Sequence, residues 1–206
     1  MIPGPFAGEE PPGEGPRLVV GLGNPGPDYE GSRHNVGFEV LDLLAGGFDG
    51  SPSVFRANGL CLGEIFSIRE SNCSLLRPLT FMNRSGEAVS AAVSQLRVEP
   101  ASILVVLDDF HLPLGSLRLR SRGSCGGHNG LRSIEESLGT LDFPRLRIGV
   151  GEPRGSAVEH VLNSFRSAER PVLEETLREA FLAVKSWIAR EHSFEELQAQ
   201  TNRQSP

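Results

Sequence analysis

The residues of this sequence best suited to chemistry are one histidine, one aspartate and three asparagines. His34 stands in SRHNVG, ten residues after Asn24 in VVGLGNPGPDY. Asp108 closes the apolar run SILVVLDD, Asn83 stands in TFMNRSG and Asn129 in GGHNG. A histidine can act as a general base near neutrality. A carboxylate on its second ring nitrogen fixes the tautomer and stabilises the imidazolium that forms. Neutral amides donate to a developing oxyanion and accept from a substrate N–H. Together they equip a site to hydrolyse an acyl bond with an activated water.

Taken singly, each residue has a plainer explanation. His34 reads as a surface or capping histidine, Asp108 as the start of an Asx turn, and Asn83 and Asn129 as helix N-caps. Their recurrence at strand-to-helix junctions, where open α/β sheets place their ligands, favours the joint reading.

Three other chemistries are weaker. Gly21, Gly23 and Gly26 have the G-x-G-x-x-G spacing of a dinucleotide loop. However, Pro25 removes an amide and biases Asn24 toward an extended conformation, and helical periodicity begins only near Asn35. The acidic residue at the expected distance, Asp49, falls in a Gly-rich loop. GSCGG (123–127) could present Cys125 as a nucleophile, but His128 is too close in the chain to serve it as base. Asp108, Asp109 and His111 could share a metal, yet no second ligand cluster supports them. Neither a metal nor a cofactor is expected.

The elements that must position these residues follow from periodicity. RLVVGL (17–22) is a buried strand, and 35–47 is a helix stopped by two glycines. Short strands with turns between them fill 53–79, and Ser85 opens a helix over 85–98. Residues 102–109 form a central strand by their unbroken apolarity. The alternating 117–122 is a half-exposed strand, 128–139 a helix closed by Gly139, and 145–150 a further strand. Ser156 with Glu159, and Ser193 with Glu196, have capping-box spacing, and 168–191 is a long amphipathic helix. The fold class is α/β: a single domain with a mixed, mostly parallel twisted sheet and helices on both faces.

Composition limits what lies around that core. At 206 residues with 38% hydrophobic content, the chain suits one soluble domain, and no apolar run approaches the roughly 20 residues of a membrane span. Three scattered cysteines make neither a disulfide framework nor a zinc pattern, which points to a reducing, cytoplasmic compartment. Residues 1–16 hold five prolines, four glycines and three acids without a basic residue; they read as a disordered acidic tail with no targeting signal. The catalytic domain is expected over 17–200 and a short tail over 201–206. Although the net charge is −6, Arg118, Arg120, Arg122 and Arg132 fall in a stretch without any acid, a basic patch that the total conceals.

In order along the chain, VVGLGNPGPDYEGSRHNVGF, RPLTFMNRSGEAV, VVLDDFHLPLGSLRLR, GGHNGLRSI and FPRLRIGVG resemble the bacterial-type peptidyl-tRNA hydrolases. The resemblance runs from about residue 17 to residue 164. It implies an enzyme that cleaves the ester joining a peptide to the terminal ribose of tRNA, recycling tRNA from stalled translation. His34 matches the family's catalytic base and Asp108 the carboxylate that keeps it ready to accept a proton. Asn24 matches the amide that distinguishes a blocked peptidyl amide from a free ammonium. Asn83 and Asn129 match amides that position the peptide and the tRNA end. Tyr29, Phe81, Met82, Gly126 and His128 fall at positions of the same cleft, and Arg118, Arg120 and Arg147 match positions that grip acceptor-arm phosphates. A monomer with peptidyl-tRNA as its partner is implied. The rival is a non-catalytic RNA-binding protein that uses the same cleft.

Overall fold

The computed structural model describes residues 15–47 and 51–202. The tail expected over 1–16 lies outside the described residues as far as residue 14, as do Asp49 and the last four positions. In chain order the elements are β1 (Arg17–Gly21), α1 (Val36–Ala45), β2 (Ser53–Ala57), β3 (Leu60–Ile68), β4 (Cys73–Pro78) and α2 (Ser85–Leu96). There follow β5 (Ile103–Asp109), β6 (Leu117–Arg120), α3 (Asn129–Leu138), β7 (Arg145–Gly149), α4 (Ala157–Leu162), α5 (Arg170–Ala189) and α6 (Phe194–Thr201).

The seven strands form one sheet in the order β2-β3-β4-β1-β5-β7-β6. The central four, β4-β1-β5-β7, pair in parallel. β3 and β6 run against them, and β2 returns antiparallel to β3. Five strands therefore share one direction, as the interleaving of strands and helices predicts.

Strand alternation divides the core in two. Val19, Leu104, Val106, Leu146 and Ile148 face one side, where Val40, Leu44, Leu173, Leu177, Val184 and Leu197 of α1, α5 and α6 cover them. Leu18, Val20, Val105 and Leu107 face the other, under Ala88, Val89, Leu131 and Ile134 of α2 and α3. Asp108 continues the first of these faces at the end of β5.

Two glycines let α1 approach the sheet closely. A Cβ on Gly37 would lie within 2.5 Å of the Leu22 backbone and of the Val106 carbonyl oxygen. Gly21 faces Gly37 from β1 in the same contact. Any larger residue would push α1, and the turn leading into it, away from the end of β5.

Two capping expectations change in detail. Ser85 is the first residue of α2 rather than its cap; its hydroxyl donates back to the Met82 carbonyl at 2.9 Å because a 3-10 turn over Met82–Arg84 precedes the helix. The reciprocal capping box forms at Ser193 and Glu196, whereas Ser156 only accepts from the Glu159 N–H. Beyond α6, the side-chain amide of Asn202 bonds both the N–H (2.6 Å) and the C=O (3.2 Å) of Leu119, covering part of the outer edge of β6.

Candidate active site

The carboxyl ends of β4, β1 and β5 lie side by side at one edge of the sheet. The loop after β1 does not start a helix at Gly26. Gly26 has φ +106°, a single 3-10 turn over Pro27–Tyr29 follows, and a second turn over Arg33–Asn35 leads into α1. That conformation lacks the helix N-terminus a dinucleotide pyrophosphate needs. It delivers His34 toward the end of β5 instead.

His34 Nδ1 lies 2.7 Å from Asp108 Oδ1. The same oxygen is 3.0 Å from Nε2 of His128, and the two rings are 4.9 Å apart. All three residues are buried. Burial alone would raise the Asp108 carboxyl, but the His34 and His128 imidazoles bonded to it outweigh that and hold it well below the usual carboxylate range. Asp108 is therefore ionised at every physiological pH, with two N–H groups to balance it.

His128 takes the N-cap position that the sequence offers to Asn129. Its Nδ1 accepts the Leu131 N–H at 3.2 Å and so closes the first turn of α3. An imidazole nitrogen that accepts carries no proton, so the proton of His128 is on Nε2, pointing at Asp108. The donors of His34, Asp108 and His128 lie within 4.8 Å of one another, a spacing that could suit a metal. The Leu131 bond argues against that use, because it leaves a hydrogen on His128 Nε2 where a metal needs a lone pair. The other combination the sequence offers does not assemble: Asp109 turns to Arg147 and to the His111 backbone N–H. Cys125 likewise gains no base from His128, both of whose nitrogens are engaged.

Asn24 is held from two sides. Its backbone N–H donates to Asn35 Oδ1 at 2.8 Å, and Asn35 Nδ2 donates back to its carbonyl at 3.0 Å. Its own side-chain oxygen accepts the Met82 N–H at 2.8 Å, which leaves the Asn24 NH2 as the group available to a ligand. Asn35, which the motif reading passes over as the start of a helix, is thus the residue that fixes Asn24. Met82 is buried, and a Cβ on Gly130 would collide with its sulfur, so the turn bearing Asn83 packs against the start of α3. Asn83 and Asn129 are both exposed there, next to Met82 and His128 respectively. Phe81 is 55% exposed, and Tyr29 is half-buried in the turn after Asn24.

The arginines separate into two kinds. Arg118 and Arg120 are exposed on β6, and Arg122 and Arg132 are exposed beyond it. Arg147 is buried and committed: one Nη is 3.0 Å from the Asp109 carboxylate, the other donates to the carbonyls of Ser124 and Cys125. Both ends of its guanidinium are thus engaged within the protein, unlike those of the exposed Arg118 and Arg120. Arg145, also buried, donates to the carbonyls of Gly123, Leu141 and Phe143. Between them these two guanidiniums bolt down the loop that carries Gly126, His128 and Asn129. Gly126 (φ +60°) and Gly127 (φ +84°) supply the left-handed turn that sends His128 inward.

One residue before the histidine, Arg33 is buried and clamps the connection between α4 and α5. Its guanidinium meets Glu169 at 2.8 Å, donates to the carbonyls of Asn163 (3.2 Å) and Ser164 (2.8 Å), and lies over the Phe165 ring. The Arg33 N–H also donates to the Asn163 carbonyl, and Ser32 bridges to Ser164.

A family model described as peptidyl-tRNA hydrolase matches residues 18–206. A peptidyl-tRNA hydrolase of Synechococcus sp. (strain JA-3-3Ab) is 51% identical over 171 residues, covering 82% of this chain and 76% of that protein. One from Synechocystis is 49% identical over 164 residues, covering 79% and 84%. Among solved structures, the peptidyl-tRNA hydrolase of Acinetobacter baumannii superposes with a TM-score of 0.80 at 32% identity, covering 93% of this chain and 96% of that one. The chain belongs to the peptidyl-tRNA hydrolase family.

Proposed function

We propose that this chain hydrolyses the ester of peptidyl-tRNA with a water activated by His34. The observation that carries this reading is the 2.7 Å contact from His34 Nδ1 to Asp108. It orients the ring and leaves Nε2, which has no protein partner among the described residues, as the nitrogen that takes a proton. As the water oxygen attacks the ester carbonyl, Nε2 accepts the water proton and Asp108 stabilises the imidazolium. The Asn24 NH2 and the amides of Asn83 and Asn129 supply N–H donors for the oxyanion and the peptide. The imidazolium then returns its proton to the ribose oxygen as the carbon–oxygen bond breaks, releasing the peptide acid and tRNA.

Arg118 and Arg120, with Arg122 and Arg132 nearby, form the exposed basic surface for the acceptor-arm phosphates, where arginine forks suit phosphate oxygens. Tyr29 and Phe81 offer rings to the tRNA end or the peptide. We take the enzyme to act as a monomer in the cytoplasm; among the described residues no helix is long and apolar enough to cross a membrane.

The test is hydrolysis of N-acetyl-aminoacyl-tRNA by the purified chain in the presence of a chelator. Turnover by the wild type and its loss in His34→Ala are expected. Full activity of that variant would overturn the mechanism, and tRNA binding without turnover by the wild type would favour the non-catalytic reading.

A further inference from the structure

We propose that His128 is a positioning residue: it shares the Asp108 oxygen with His34 and thereby weakens Asp108 as a partner for a charged His34, without touching substrate. This rests on the hydrolytic reading of His34 given above.

The geometry is specific. Both imidazoles address one carboxylate oxygen, at 2.7 Å from His34 and 3.0 Å from His128. The Leu131 N–H at the far nitrogen of His128 holds the ring neutral, since a doubly protonated ring would set two N–H groups against each other. His128 is thus placed as a donor to Asp108 through Nε2. Each N–H on a carboxylate stabilises its negative charge and leaves less of it to stabilise a neighbouring cation. In a two-residue dyad the whole carboxylate would hold the imidazolium of His34. Here part of that capacity is already used by the His128 N–H.

The same facts keep His128 away from substrate. The ring is buried, both its nitrogens are bonded within the protein, and the start of α3 covers it, with a Cβ on Gly130 falling 3.2 Å from its Cε1. The exposed neighbour Asn129 is open to a ligand.

Among the charged groups on neighbouring elements, Glu39 of α1 has a buried carboxylate oxygen without a hydrogen-bond partner, while three others are paired within the protein. Asp109, from the same strand, is held by Arg147 of β7. Glu169, at the start of α5, is held by Arg33 and Arg166. His160 of α4 bonds the Gly151 carbonyl. His128 is the one whose donor falls on the Asp108 oxygen that His34 uses.

His128 also caps α3, so the test separates the two roles. Asparagine is a strong N-cap but too short to reach Asp108, and glutamine carries an amide N–H about as far out as Nε2. Two readouts are taken on the full chain from pH 5 to 9: kcat and KM for N-acetyl-aminoacyl-tRNA, and NMR titration of the His34 ring Cε1–H. For His128→Asn, the acid limb of kcat/KM and the His34 titration curve should both move up by about one pH unit, with kcat lowered and KM unchanged. Melting temperature should stay near that of the wild type. His128→Gln should restore both curves. A raised KM with an unmoved acid limb would overturn the proposal by making His128 a substrate contact, and so would an unmoved NMR curve in His128→Asn. If the wild type fails to turn over, the function falls, while the NMR titration still decides the role of His128.

Discussion

Arg33 and Glu169 meet at 2.8 Å across 136 residues of chain, and the contact lies one residue from the base. The α4–α5 connection is therefore part of what holds His34. Hydrogen bonding from Arg166 comes first among the causes that draw the Glu169 carboxyl down, against some opposing burial. The Arg166 backbone N–H and the Arg33 charge add to it, and the carboxyl falls from its ordinary 4.5 to about 2.

Acid should release this clamp. Because the folded-state value is depressed, the ionised carboxylate favours folding above about pH 4.5, and that contribution is lost as pH falls toward 2. Glu169→Gln should melt lower than the wild type at pH 7, by an amount equivalent to about 2 kcal/mol once the shift is discounted for the solvent that reaches Arg166. A fully buried pair costs more, roughly 3–5, when one partner is removed. Melting curves for both proteins from pH 7 to 2.5 should converge at the acid end, and a constant gap would contradict the assignment.

Asp108→Asn tests the dyad directly. Two imidazole N–H groups point at Oδ1, and a neutral amide cannot stabilise the imidazolium as the carboxylate does. Turnover should fall on the order of 10³–10⁴-fold, as it does when a triad aspartate loses its charge. Steady-state kinetics with N-acetyl-aminoacyl-tRNA would show the loss in kcat rather than in KM.

The two kinds of arginine should separate by salt dependence. Replacing Arg118 or Arg120 with alanine should weaken tRNA binding and lower the slope of log affinity against log salt by about one for each phosphate no longer gripped. Arg147→Ala should leave that slope unchanged. It strands the Asp109 carboxylate and frees the Ser124 and Cys125 carbonyls, so a stability loss of roughly 3–5 kcal/mol and a lower kcat are expected. Filter-binding titrations at several salt concentrations, with a melting curve, distinguish the two outcomes.

These differences mark where the sequence was readable. The strands and helices followed from apolar periodicity, and the meeting of His34 with Asp108 from their places after β1 and at the end of β5. The burial of Arg147 did not follow. RLRIGV shows that Arg145 and Arg147 share a face of β7, but only the folded 123–127 loop reveals that this face is covered. His128 and Asn129 are adjacent and both suited to cap α3. The left-handed Gly126–Gly127 turn decides between them, and neither glycine announces its conformation in a sequence. Asn35 was hidden because its partner is a backbone amide eleven residues earlier, a contact with no periodic signature.

Asn24→Asp probes the remaining donor. The Met82 N–H would still find an oxygen, so the loop should hold, but the NH2 is lost and a negative charge faces the cleft. The ratio of kcat/KM for N-acetyl-aminoacyl-tRNA to that for free aminoacyl-tRNA should fall, because an ammonium is now attracted rather than refused. Parallel assays of the two substrates measure it; an unchanged ratio would remove Asn24 from the discrimination.

The pairing of Asn202 with Leu119 has a consequence for solubility. A bare edge strand invites another chain to add to it, and β6 is the outermost strand on its side of the sheet. One side-chain amide occupies the Leu119 N–H and C=O, acting as a one-residue stand-in for a neighbouring strand. The face of β6 that carries Arg118 and Arg120 stays open while part of its edge is closed. Loss of a single uncharged residue near the C-terminus would thus bring self-association at the strand that carries Arg118 and Arg120.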